Sequence, residues 1–96
     1  MSIVINLHMK AKDDQYEALH ATLKAILPDT AAREGAELIS CMANPDDKSF
    51  IVHEVWDRKA SQESYMAWRV ERGDVDKLMT LLREAPVFEE MEHLPF

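Results

Sequence analysis

Residues 44–57 read Asn44-Pro45-Asp46-Asp47-Lys48-Ser49-Phe50-Ile51-Val52-His53-Glu54-Val55-Trp56-Asp57. The first five make a turn cluster in which Asn44, Pro45, Asp46 and Asp47 are turn formers, and the run from Ser49 to Trp56 is rich in β-branched and aromatic side chains that suit a pleated surface. Ahead of the turn, roughly 36–43 also reads as a strand, and Gly35 supplies the permissive backbone needed to enter it. Residues 36–56 therefore predict an antiparallel hairpin with a longer loop. Asp57 is placed to cap a helix beginning near Lys59.

Working outward, residues 2–9 are β-rich and apolar at nearly every position, as in a strand covered on both faces. From about 13 to 27 the period changes: Tyr16, Leu19, Leu23, Ile26 and Leu27 recur at helical spacing, with Asp13 or Asp14 as cap and Pro28 as stop. Asp29 to Glu34 is expected to form a short helical turn or loop. Beyond the hairpin, Gly73-Asp74 kinks or re-caps the second helix before Val75, Leu78, Leu81, Leu82 and Ala85 resume its apolar stripe, and Pro86 closes it. Val87 to Leu94 reads as a final, more exposed strand. The order is β-α-β-β-α-β, an α+β, ferredoxin-like arrangement with one four-stranded antiparallel sheet and both helices on one face. Residues 1–96 form a single domain.

Alternation along the strands separates two faces. Ile3, Ile5, Leu7 and Met9 oppose Val4, Asn6 and His8; Phe50, Val52, Glu54 and Trp56 oppose Ile51, His53 and Val55. Both faces are largely apolar. One covers the helices, and the other would leave a patch of several hundred Å2, more than a monomer usually exposes. A homodimer packed sheet against sheet follows.

Composition narrows function by exclusion. The 96 residues carry 18 Asp plus Glu against 11 Lys plus Arg, a formal charge of −7, with a pI near 4.9. Nucleic acid and anionic membranes both require a basic surface that this balance does not provide. The lone Cys41 excludes an internal disulfide and cysteine-pair zinc sites. Residues 1–8 lack a basic leader, and their apolar run is too short for a signal core or a membrane span, so the cytoplasm is the default location. Glycine-rich phosphate loops, HExxH, GxSxG and calcium loops are missing. His8, His20, His53 and His93 have no ligand spacing, so no metal site is expected. His20 falls off the helix stripe and is expected to be solvated.

Polar residues on a helix-covered sheet face are the more informative feature. Glu54 and Trp56 share one face, and the same periodicity can bring Asn6 and His8 of the first strand to it. A buried polar group without a hydrogen bond costs about 1–3 kcal/mol, so each needs a protein partner, a water or a ligand. Mutual satisfaction of Asn6 and Glu54 is the plainer alternative, and Trp56 alone reads more simply as core.

The passage from Arg33-Glu34-Gly35, through Asn44-Pro45-Asp46-Asp47 and Glu54-Val55-Trp56, to the Ala60-Ser61 helix start and Tyr65-Met66-Ala67-Trp68-Arg69 resembles the antibiotic biosynthesis monooxygenase family, which includes quinol monooxygenases. The resemblance covers most of the chain and rests chiefly on the E-x-W strand end followed by the Ala-rich helix. It implies a ferredoxin-like subunit, a dimeric α/β barrel, and a pocket between sheet and helices. Some members oxygenate phenolic, anthrone or quinol substrates without metal or flavin, and others bind and degrade haem. The haem degraders have a strand-one Asn, a strand-three Trp and a helix histidine on the iron. Asn6 and Trp56 match the first two, whereas Tyr65 stands at the histidine position and makes haem the least favoured reading.

In the cofactor-free chemistry that this resemblance implies, the substrate supplies its own electrons: a phenol or quinol loses a proton and its anion reacts with O2. The protein must provide an apolar cavity, a proton acceptor and donors that steady the anion. Asn6, Glu54, Trp56 and Tyr65 are the expected catalytic residues; His8, Phe50 and Trp68 are the expected substrate contacts. Glu54 or His8 would be the base, Asn6 a donor to a substrate oxygen, and Tyr65 a donor or relay. Trp56, Phe50 and Trp68 would shape the cavity. Small aromatic substrate, O2 and a second copy of the chain are the expected partners, with no cofactor. The alternative is a non-enzymatic dimeric module of the same fold, its interior holding a small apolar ligand or filled by side chains.

Overall fold

A computed structural model describes residues 2–96; Met1, which the sequence reading includes in the domain, lies outside the described residues. The elements are β1 (Ile3–Lys10), α1 (Tyr16–Ala31), β2 (Ala36–Asn44), β3 (Ser49–Trp56), α2 (Lys59–Arg72), α3 (Asp74–Met79) and β4 (Val87–Glu92). The four strands form one antiparallel sheet in the order β2-β3-β1-β4. This is the ferredoxin-like βαββαβ arrangement expected from the sequence, with α3 added after the second main helix.

Sheet register decides what faces the helices. Ile3 pairs with Trp56, Ile5 with Glu54, Leu7 with Val52 and Met9 with Phe50. Directly opposed residues of an antiparallel pair project to the same side, so these eight share one face. Leu19 and Leu23 of α1 close over its Met9–Phe50 end, and Tyr65 of α2 packs against Ile5 and Trp56 at the other. The buried core thus forms two clusters on this face, one under α1 and one under α2, with half-buried Ile39 packed against both.

The turn that joins α1 to β2 fixes how closely α2 approaches. Gly35 has φ +90, and a Cβ there would lie 2.5 Å from Ser61 Cβ and 2.6 Å from Asp57 Oδ1. Both the left-handed backbone and the absence of a side chain are required. In the hairpin loop, Asn44 Oδ1 accepts the Asp46 amide at 3.0 Å and Asp47 Oδ1 accepts the Ser49 amide at 3.1 Å, so side chains close the turn.

Four sequence expectations are corrected. Asp13 and Asp14 do not cap α1: they are the middle of a turn closed by the Gln15 amide on Lys12 O at 2.9 Å, and Gln15 takes the cap position. Pro28 does not stop α1, which runs on to Ala31. The bond that proline removes would fall on Lys24 C=O, on the solvent side, while buried Thr30 is anchored to α2 and holds the last turn. Asp57 makes no cap bond to α2; its Oδ1 is turned toward Gly35 and Ser61 and has no partner among the described residues, and extended Arg58 is the cap residue. Finally, Gly73 does re-cap the chain, with φ +80, but α3 lasts only six residues. Leu82 then bridges to Ala11 at the sheet edge, so Leu81, Leu82 and Ala85 lie beyond the helix.

Candidate active site

The register that builds the core also separates the expected site residues. Glu54 and Trp56 face the helices, but Asn6 pairs with His53 and His8 with Ile51, on the opposite face. Asn6 and His8 therefore do not meet Glu54, Trp56 or Tyr65. Alternation within each strand was right; the offset between two strands is set by pairing, and strand periodicity alone does not contain it.

Behind the helices, Glu54 is only 4% exposed. Its Oε1 accepts the Trp56 indole N–H at 2.9 Å, and no protein donor reaches Oε2 among the described residues. Burial pushes the Glu54 carboxyl above its ordinary range, and the Trp56 bond offsets part of that rise. Trp56 is fully buried and its ring lies 5.1 Å from that of Tyr65. The indole is a core side chain that donates to Glu54.

Tyr65 belongs to a buried polar cluster that joins three segments. Its hydroxyl meets Thr30 Oγ1 at 2.8 Å and accepts from Arg69 Nε at 3.1 Å. Arg69 also donates through Nη2 to Ile26 O at 2.9 Å and Thr30 Oγ1 at 3.0 Å, and through Nη1 to Asp74 Oδ2 at 2.8 Å. Burial works against the guanidinium charge, but the bonds to Tyr65 and Asp74 outweigh it and raise the Arg69 pKa. The Arg69 bond in turn holds the Asp74 carboxyl below its usual range.

Glu54, Tyr65, Arg69 and Asp74 all reach one apolar cavity between sheet, α1, α2 and α3. Leu7 and Val52 form its floor, Leu23 and Leu27 one side, and Met66 and Leu78 the other. About 70 Å3 is open to the centres of water-sized molecules. Phe88, about half exposed, marks its outer edge on β4.

Phe50, Trp56 and Trp68, expected to shape the cavity, do not line it. Phe50 stacks on Tyr16 at 5.0 Å beneath α1. Trp68 is held among the guanidinium groups of Arg33, Arg69 and Arg72, at 4.5, 4.6 and 4.9 Å from its ring. These cation–π contacts occupy the ring that the sequence reading assigned to substrate. Arg69 was missed there although it lies four residues after Tyr65, a spacing that puts both on one helix face. Asp74 and Thr30 left no comparable local signal.

On the uncovered face, His53 Nδ1 meets Asn6 Oδ1 at 2.7 Å, Asn6 Nδ2 donates to Glu89 Oε1 at 3.0 Å, and His8 Nε2 lies 3.6 Å from the same oxygen. The Asn6 and His8 contacts lower the Glu89 pKa. Leu38, Met42, Val87 and Met91, each near half exposed, flank this polar strip. Among the described residues no three His, Cys, Asp or Glu side chains converge on a point that could hold a metal ion. No described helix is long and apolar enough to cross a membrane.

No family model matches the chain, and no curated protein matches it. Solved structures do. A protein of unknown function from Nitrosomonas europaea superposes with TM-score 0.85 at 21% identity, over 99% of this chain and 91% of that one. A candidate antibiotic biosynthesis monooxygenase from Deinococcus radiodurans gives 0.86 at 17% identity, over 98% and 94%. A structure named antibiotic biosynthesis monooxygenase gives 0.85 at 16% identity, over 99% and 100%. The chain thus has the ferredoxin-like fold of these proteins across essentially its whole length.

Proposed function

We propose that the chain is a cofactor-independent monooxygenase of the antibiotic biosynthesis type, acting on a small electron-rich aromatic such as a quinol, phenol or anthrone. The observation that carries this reading is Glu54: a buried carboxyl with one free oxygen on the wall of an apolar cavity. The fold shared with structures of that name, and the sequence resemblance, supply its context. Glu54 takes the proton of a bound phenolic hydroxyl; the anion gives electrons to O2, one oxygen atom enters the ring and the other leaves as water. For hydroquinone the products are hydroxybenzoquinone and one water, so no external reductant is needed. Tyr65 and Arg69 form the polar end of the cavity and steady the developing anion. The haem reading is disfavoured because the Tyr65 oxygen is already engaged by Thr30 and Arg69.

In this reading two copies associate through the uncovered sheet face, with Leu38, Met42, Val87 and Met91 at the contact, and the protein works in the cytoplasm. The experiment is oxygen uptake with a hydroquinone panel, comparing wild type with Glu54→Gln. Uptake above the buffer blank that the substitution abolishes supports the proposal; uptake at the blank rate for every compound overturns it. One observation favours the alternative of a non-enzymatic module: the cavity holds about 70 Å3, whereas an engineered cavity that binds benzene has about 150 Å3. Any ring therefore requires the cavity to open.

A further inference from the structure

The outer wall of the cavity is α3, which contributes Asp74, Val75, Leu78 and Met79 to the lining. None of its six residues is buried. A helix this short has almost no stability of its own, so it stays in place through what ties it down. Its two ends are tied differently. On the far side, the Lys12 amide donates to Leu81 O at 2.9 Å, the Arg83 amide to Lys10 O at 3.0 Å, and Leu82 bridges to Ala11. On the near side stands Gly73, at φ +80, where even an added Cβ would meet nothing within 4 Å. Glycine adopts positive and negative φ alike, so a change of backbone angle at Gly73 meets no side-chain penalty, only the loss of its own backbone bonds to Val70 O and from Lys77 N–H. Among the described residues, only Asp74 secures this end by side-chain bonds: its Oδ2 accepts Arg69 Nη1 at 2.8 Å and Arg72 Nε at 3.1 Å.

We infer that α3 is a hinged lid over the cavity, with Gly73 as hinge and Asp74 as latch, and that a ring enters when this helix swings outward. The inference rests on reading the cavity as a ring site: the closed form is too small for a ring, and α3 is the wall with no buried residue. Asp74 is a positioning residue here: it holds the wall and does not react. Opening breaks its bonds to Arg69 and Arg72 while the Leu82 bridge keeps the chain attached. The Arg69 bonds to Tyr65, Thr30 and Ile26 persist, so the polar end of the cavity is retained in the open form.

Native-state amide hydrogen exchange tests the lid without reference to activity. In the wild type, the Lys77 amide, bonded to Gly73 O, exchanges through a local opening while the amides of Leu7 and Val52 exchange only on global unfolding. Asp74→Asn speeds Lys77 exchange by about tenfold and leaves Leu7 and Val52 near their wild-type rates. With phenol as the probe, its association and dissociation rates both rise in Asp74→Asn and its affinity changes little. Lys77 exchanging only together with Leu7 and Val52 in the wild type overturns the lid, as does an Asp74→Asn protein with unchanged Lys77 exchange. A variant that fails to fold reveals itself by lost protection at Leu7 and Val52, and the wild-type ladder then decides. Failure of phenol to bind any form overturns the ring site itself, whereas the exchange of Lys77 still judges the motion.

Discussion

Glu54 Oε1 accepts the indole N–H of Trp56 at 2.9 Å, two residues along the same strand and on the same face. The bond takes up Oε1, and Oε2 has no protein donor among the described residues. Burial raises the Glu54 pKa from an ordinary value of 4.5. Relative to the unfolded chain, folding favours the protonated form, so Glu54 favours folding most below that ordinary range; this contribution is lost as pH rises through the elevated folded value and the carboxylate that can accept a proton forms. Glu54→Gln keeps an acceptor for Trp56 and removes the charge. It is expected to gain about 1 kcal/mol over wild type at pH 8 and little at pH 4. Urea denaturation at the two pH values checks this, and an equal difference at both would contradict the buried carboxylate.

Arg69 joins α1, α2 and α3 through one guanidinium. Its replacement by Met leaves Asp74 without its main partner and takes a donor each from Ile26 O, Thr30 and the Tyr65 hydroxyl, the last two keeping only their bond to each other. The expected cost is about 3 kcal/mol, larger than a surface ion pair would explain. Thr30→Val, which deletes the hydroxyl shared by Tyr65 and Arg69, should cost about 1–2 kcal/mol. Because both substitutions break the same cluster, the double variant should lose less than the two single losses together. Additive losses in chemical denaturation would show that the cluster does not act as a unit.

The two glycines make a contrast with a measurable sign. Both have positive φ, but a Cβ at Gly35 would press into Ser61 and Asp57 while one at Gly73 meets open space. Gly73→Ala should therefore cost only the left-handed backbone, about 1 kcal/mol. Gly35→Ala adds a steric clash with the start of α2 and should cost about 3 kcal/mol. Thermal unfolding of the two variants separates the cases, and equal losses would remove the close approach as a cause.

These residues also locate the boundary of what the sequence discloses. Turn chemistry at 44–48, the Gly35 entry and the change to a helical period after about residue 13 are local, and local rules recover them; the element order follows, though the helix itself starts at Tyr16. Asn6 was misplaced because its face depends on an offset between two strands separated by more than forty positions. Arg69 escaped for a related reason: a charged residue reads as surface until Thr30, Tyr65 and Asp74, drawn from three elements, make its burial affordable. Pro28 shows the limit of a strong local rule, since tertiary bonds at Thr30 carry the helix past it.

The uncovered sheet face makes the last prediction. Leu38 and Met42 on β2 and Val87 and Met91 on β4 flank a strip in which His53, Asn6, Glu89 and His8 contact one another. The apolar flanks supply the drive to associate, while the strip, already paired within its own chain, can be covered without stranding its donors. Wild type should scatter light as twice 11.0 kDa at micromolar concentration. Leu38→Asp places a charge in the flank and, across a two-fold contact, brings two such charges into one interface. It should shift the protein toward monomer by at least tenfold in dissociation constant. Ser40→Ala, in the polar strip, should leave the mass unchanged. A wild-type protein that scatters as 11.0 kDa would mean that this face is stable in water as it stands.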